Sequence, residues 1–290
     1  MRKIYFLLGF FLVSLGLSAQ SLLWQVEGPG GDTSYLFGTY HLLASGYLED
    51  HPVLENKFNE AEQVVVEMVI DSSEILPLTL KYMMADTPLS KLISASEYEA
   101  LSEDLKTELG MDISTMERFK PMMITTALAL KLAESNTPEE MRYSGAPIDY
   151  YFAAQAERDE RRVVALETYE EQMNLLMGNQ TLKAQAQDLV QFAAEMEEAE
   201  ELTLETIKAY QEADLQSMLE LSQGLEESVG DMEAMVDDRN KRWIPKLKET
   251  MERGTTFIAV GALHLPGENG LLALLQKEGY KVIPLSTKEH

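Results

Sequence analysis

The sequence predicts an α/β protein: a central, mostly β-sheet core with crossover helices and a large helical insertion in the middle of the chain. Three observations carry this. Compact apolar runs of strand length occur near both ends of the chain. A strand, helix, strand succession appears early and again at the C-terminus, which places two strands parallel where they share a sheet. Between them lie stretches over about 74–160 and 168–253 whose pattern is mostly helical.

Arg2 and Lys3 precede an apolar run from Ile4 to Leu17 that ends at Ser18-Ala19. That pattern predicts a secretory signal peptide over residues 1–19, cleaved after Ala19, an uncleaved membrane anchor being the alternative. The run is shorter than the about 20 residues a spanning helix needs. Residues 20–290 are therefore expected as one exported domain, periplasmic or secreted, with no stable membrane span after cleavage. The first strand is expected at Ser34–Phe37. Pro52 suits a first helical turn, and Leu54, Phe58 and Ala61 follow on one face. The next strands are Gln63–Val66 and Arg162–Leu166, each followed by one of the helical stretches. Ile244, Leu247 and Met251 mark a late helix stopped by Gly254. Thr255–Val260 is a strand, Leu271, Leu272 and Leu275 belong to a helix ending at Gly279, and Lys281–Pro284 closes the fold.

Composition narrows the function. With 24 Lys and Arg against 49 Asp and Glu, the net charge is −25, and about −27 without the signal. Such a surface repels phosphate backbones and anionic headgroups, so nucleic acid is not an expected partner. The chain has no cysteine, which excludes disulfides, a thiol nucleophile and thiolate metal sites. Many of the 16 methionines, including Met83, Met84, Met122, Met123, Met173 and Met177, fall in the helical centre. They are expected as adaptable core filler, a flexible ligand groove being the alternative.

The most informative pattern lies just beyond the strands. Phe37 leads to Gly38 and His41, Val66 to Glu67, Leu166 to Glu167, and Val260 to Gly261 and His264. Four strands thus each deliver an imidazole or a carboxylate at the carboxyl end, where ligand sites form in open α/β sheets. Two imidazoles and a carboxylate, His41, His264 and Glu67, are a reasonable nitrogen and oxygen ligand set for a divalent metal. Alternatively, Glu67 acts as a general base. Glu67 is flanked by apolar residues, so its ionised form demands a cation or a hydrogen-bonding shell. Glu167 either joins the site or opens a helix. Arg239 is either an ordinary ion-pair partner or a guanidinium that binds a substrate carboxylate or an oxyanion. His51 and His290 lack any comparable setting and are expected to be exposed.

Together these segments resemble the TraB/GumN family, which includes bacterial pheromone-shutdown proteins and animal TIKI proteases. The resemblance rests on Leu36-Phe37-Gly38-Thr39-Tyr40-His41, Val66-Glu67, Leu166-Glu167-Thr168 with Gln172, Arg239-Asn240 followed by Trp243, and Gly261-Ala262-Leu263-His264-Leu265-Pro266-Gly267 with Gly270-Leu271. It implies an α/β core with two glycine-histidine motifs and an essential glutamate and arginine. These fall on His41, His264, Glu67 and Arg239, with Glu167 as a secondary candidate. It further implies a divalent metal, manganese or cobalt rather than zinc. The resulting expectation is an exported metal-dependent hydrolase of the metallopeptidase type, acting on a peptide or small-molecule substrate. Two alternatives stand beside it: a non-catalytic binding protein that sequesters a peptide signal or haem, and an acidic interaction module whose histidines only fasten turns.

Overall fold

The computed structural model describes residues 20–69, 72–178, 180–223 and 232–289. The expected signal peptide and His290 lie outside these residues. Six strands form one mixed sheet: β1 (Leu23–Glu27), β2 (Thr33–Thr39), β3 (Gln63–Val66), β4 (Arg162–Ala165), β5 (Thr256–Gly261) and β6 (Lys281–Leu285), in the order β4-β3-β5-β2-β1-β6. β4, β3, β5 and β2 are mutually parallel, with Val66 opposite Ala165 and Ala259, and Gly38 opposite Val260. Their carboxyl ends therefore share one edge. The central strands β2, β3 and β5 are nearly all buried, as expected for parallel strands covered on both faces.

β1 is a strand that the sequence pattern does not announce. It is five residues long and its burial does not alternate cleanly, so it offers no clear period-two signal. It pairs antiparallel with both β2 and β6, so β6 joins the sheet through β1 rather than beside β5.

The expected helix after β2 is α1 (Pro52–Glu60), with Pro52 in its first turn and Leu54 and Phe58 buried. β3 and β4 are joined through α2 (Ser72–Met83), α3 (Ala95–Glu108), α4 (Ile113–Met116), α5 (Pro121–Asn136) and α6 (Ile148–Arg158). Beyond β4 come α7 (Tyr169–Gly178), α8 (Leu182–Ala194), α9 (Met196–Gln211), α10 (Leu215–Gln223) and α11 (Asp238–Met251); α12 (Leu271–Lys277) precedes β6. The expectation of a mostly β core overstates the sheet, because helices make up most of the described chain. α3, α4, α5 and α8 also carry an apolar cluster of their own, built on Leu101, Leu105, Ile113, Ile124, Leu128 and Leu189. The sheet core instead gathers around Phe37, Phe58, Phe152 and Phe257, whose rings interlock at 4.9–6.5 Å. Met173 and Met177 are buried in a third small cluster, with Met83, Met122 and Met123 packed against it.

Gly38 shows why the first glycine of the Gly-x-x-His motif is needed. A Cβ there would lie 3.0 Å from Ala262 Cα and 3.2 Å from Leu265 Cδ2. The missing side chain lets β2 lie against the turn that carries His264. Gly38→Val is expected to cost about 1–3 kcal/mol through overpacking, read as a lower denaturation midpoint. A midpoint equal to the wild type would contradict this close approach.

Candidate functional site

The parallel edge brings Glu67, Glu167 and His264 together, and α11 supplies Arg239 from above the strand ends. Arg239 is buried and every guanidinium nitrogen has an acceptor. Nε donates to Glu167 Oε1 and Oε2 at 3.1 and 3.0 Å, and Nη2 donates to Glu67 Oε2 at 2.6 Å. Nη1 donates to the Met235 carbonyl at 3.0 Å and approaches His264 Nε2 at 3.1 Å. Met235 lies in a π-helical turn, Glu233–Asp237, directly before α11. Such a turn frees carbonyls from the usual ladder, and here one receives the arginine side chain.

Asn240 fixes the tautomer of His264. Its Nδ2 donates to the His264 and Asn269 carbonyls at 3.2 and 2.9 Å, so its Oδ1 must be the atom facing His264 Nδ1 at 2.7 Å. Oδ1 only accepts, so Nδ1 carries the proton and Nε2 keeps its lone pair for Arg239. Burial, and after it the Arg239 charge, lowers the His264 pKa to about 4 against the pull of Glu67. The ring is neutral at pH 7 and sits 4.4 Å from the Trp243 ring centroid.

Glu67 receives Gly261 N–H on Oε1 at 2.7 Å, and Gln172 and Arg239 on Oε2 at 3.2 and 2.6 Å. Burial opposes its ionised form, but the charges of His264 and Arg239 and the Gly261 N–H outweigh that and hold its pKa at about 2. Because His264 is neutral at pH 7, Arg239 and the Gly261 N–H carry that stabilisation there, with a smaller part from the His41 charge. A carboxylate offers about four lone-pair positions. Three are occupied, which leaves one on Oε1 for water or substrate. Glu167 is held more tightly: beside Arg239 it accepts from Trp243 Nε1 at 3.0 Å and Arg242 at 3.2 Å.

His41 stands apart from this buried network. Its side chain is 75% exposed, and Nδ1 meets Asp149 Oδ2 at 3.0 Å. Thr39 donates to the other Asp149 oxygen at 2.5 Å. The Asp149 hydrogen bond raises the His41 pKa, against some desolvation, although water screens so exposed a pair. Asp149, in the first turn of α6, was not singled out from the sequence. It lies within the helical stretch, where no local pattern marks a residue that returns to the sheet edge. His51 corrects another expectation: it is buried, stacked on Tyr47 at 3.6 Å, with Nδ1 against the Tyr47 carbonyl at 2.7 Å.

A groove of about 450 Å³ joins the two parts. His41, Glu67, Asp149, Glu157 and Gln172 provide polar groups, while Val66 and Ala259 from the strand ends, Met68, Val69 and the apolar residues on one face of α6 supply most of the remaining lining. Arg239 and His264 lie behind Glu67 and support it.

The expected metal ligands are placed unevenly. His264 Nε2 is 3.8 Å from Glu67 Oε1, and both imidazoles have Nδ1 engaged, as metal-binding histidines do. The lone pair of His264 Nε2 and the Oε2 side of Glu67 are nevertheless directed at Arg239. Among the described residues, no three His, Asp or Glu groups are placed to hold an ion. The residues as arranged do not fit a metal, because the guanidinium occupies the cation position between Glu67 and His264.

The chain is similar to Metalloprotease TIKI2 of Danio rerio, 25% identical over 319 residues, covering 90% of this chain and 60% of the relative. Metalloprotease TIKI2 of Xenopus tropicalis is also 25% identical, over 320 residues, covering 90% and 59%. An uncharacterized protein of Treponema pallidum (strain Nichols) is 24% identical over 173 residues, covering 58% of this chain and 50% of its own. The chain thus spans about 60% of the length of its TIKI2 relatives. No solved structure gives a significant match. No helix among the described residues is long and apolar enough to cross a membrane. The model of the TraB/PrgY/gumN family matches residues 22–284, so the chain belongs to that family.

Proposed function

We propose that the protein is an exported hydrolase of the peptidase type whose substrate lies in the groove between the sheet edge and α6. The observation that carries this is the pairing, in one groove, of an accessible histidine oriented by a carboxylate with a glutamate held ionised by a buried cation. An imidazole held this way is suited to proton transfer. In the reaction, water oxygen adds to the substrate carbonyl carbon and the carbon–nitrogen bond breaks. Glu67 orients the water through its free lone-pair position, and the proton that water loses passes to solvent. Protonated His41 supplies a proton to the departing amine and regains one from solvent. Arg239 fixes Glu67 in its ionised state and His264 buttresses Arg239 from behind.

The names of the TIKI2 relatives support a metal-dependent version, with manganese or cobalt as the family resemblance implies. For this chain it requires Arg239 to release Glu67 and His264. The deciding assay is hydrolysis of a fluorogenic peptide library by protein stripped with chelator, then supplemented with Mn²⁺ or Co²⁺. Cleavage is expected, its persistence in chelator identifying Arg239 as the sufficient cation and its dependence on added ion identifying the metal-dependent form. Saturable peptide binding without cleavage in any of these conditions would contradict the proposal and leave a sequestering protein.

A further inference from the structure

Resting on the hydrolase reading, we infer that the groove selects a short peptide segment of three to four residues with small or apolar side chains and a cationic group at one end, which pairs with Glu157. Tyr150, Ala153, Ala154 and Glu157 lie at helical spacing and line the groove along one face of α6. The two alanines keep that face low, which opens room for a chain to lie along it. Asp149, beside His41, and Glu157 are eight residues apart, about 12 Å along a helix at 1.5 Å per residue. An extended chain at about 3.3 Å per residue covers that distance in three to four residues.

The chemistry differs between the two ends. Near His41 the charges are paired: Asp149 with His41, and Glu67 with Arg239. The exposed Glu157 carboxylate has no hydrogen bond or ion pair among the described residues. It is the groove's unbalanced charge, and its sign matches the strongly acidic chain, which steers cations towards the site. Between the ends the lining is apolar, and Tyr150 and Val69 remain 55% and 37% exposed at the rim, apolar surface that an occupant would cover.

The test uses alanine-rich peptides with Lys, Gln or Glu at either end of a three-residue core, measured as kcat/KM for cleavage and as binding to the His41→Gln protein. The wild type is expected to favour the Lys peptides over the Glu peptides by about tenfold. Glu157→Gln brings the ratio close to one, mainly through KM, and Glu157→Lys reverses it, while the Tm of each stays at the wild-type value. Ala154→Trp, which fills the groove, lowers affinity for every peptide. Cleavage with no charge preference, or a preference unchanged in Glu157→Gln, overturns the inference and leaves the hydrolase reading standing. Charge-selective binding that Glu157→Gln abolishes, without cleavage by the wild type, supports the groove assignment and removes the hydrolase reading instead. Unaltered affinity in Ala154→Trp would show that peptides bind elsewhere.

Discussion

Replacing Arg239 with methionine is expected to be the most damaging single change in the protein, lowering stability by about 3–5 kcal/mol. Removing one partner of a buried ion pair costs this much because the remaining charges stay buried and uncompensated. Here two buried carboxylates, Glu67 and Glu167, with side-chain exposures of only 16% and 6%, lose their shared cation. Glu167 retains Trp243 and Arg242, whereas Glu67 keeps only the Gly261 and Gln172 donors. A second substitution, Glu67→Gln, is therefore expected to recover part of the loss by removing the unpaired charge. Arg239→Lys keeps a positive charge but cannot reach four groups in one plane, so it falls between wild type and Arg239→Met. Thermal or urea unfolding checks the order. Equal stability of Arg239→Met and wild type would show that the network contributes little.

The same network makes the fold sensitive to acid. His264 is neutral in the fold, with a pKa of about 4, and titrates near 6.5 when unfolded. Between those values the unfolded chain binds more protons, so stability falls as pH drops through this window. Glu67, at about 2 in the fold, extends the loss below its unfolded value of about 4.3. His41 acts in the opposite direction: its raised pKa favours the fold below about 6.5, and that contribution is lost as pH rises. Its exposure keeps the alkaline effect small.

The second large effect concerns activity without stability. His41→Gln is expected to reduce peptide cleavage by about 10²–10⁴-fold, the usual range for a positioned proton-transfer group. Little change in Tm is expected, because the ring is largely in solvent. Asp149→Asn tests how His41 is tuned. With the carboxylate gone, the His41 pKa returns towards 6.5, so the alkaline fall in rate moves to lower pH. A merely structural Asp149 would lower the rate without moving that limb.

Much of the site edge was legible because its signals are local. Each parallel strand is a short apolar run, and the residue after it is read directly from the sequence, which placed Glu67, Glu167 and His264 at one edge. The need of Glu67 for a compensating cation followed from its apolar flanks, and Arg239 meets it through a contact spanning 172 residues. Which cation would meet that need was not legible. A guanidinium and a metal ion satisfy the same carboxylate, and only the position of α11 distinguishes them. Asp149 was missed for a related reason: it is 108 residues from His41, and helical periodicity does not reveal which turn returns to the sheet. β1 was missed because five residues with mixed burial look like a loop. His51 was misjudged because its burial comes from stacking on Tyr47, which no spacing rule announces.

Cleavage of alanine-rich peptides in ¹⁸O-labelled water, followed by mass spectrometry, tests the proposed hydrolytic role of the groove most directly. The wild type should release two fragments with one ¹⁸O in the new carboxylate, and His41→Gln should do so at least about a hundredfold more slowly. Equal cleavage by the two proteins, or intact peptide after exposure to the folded wild type with and without added metal, would contradict the account.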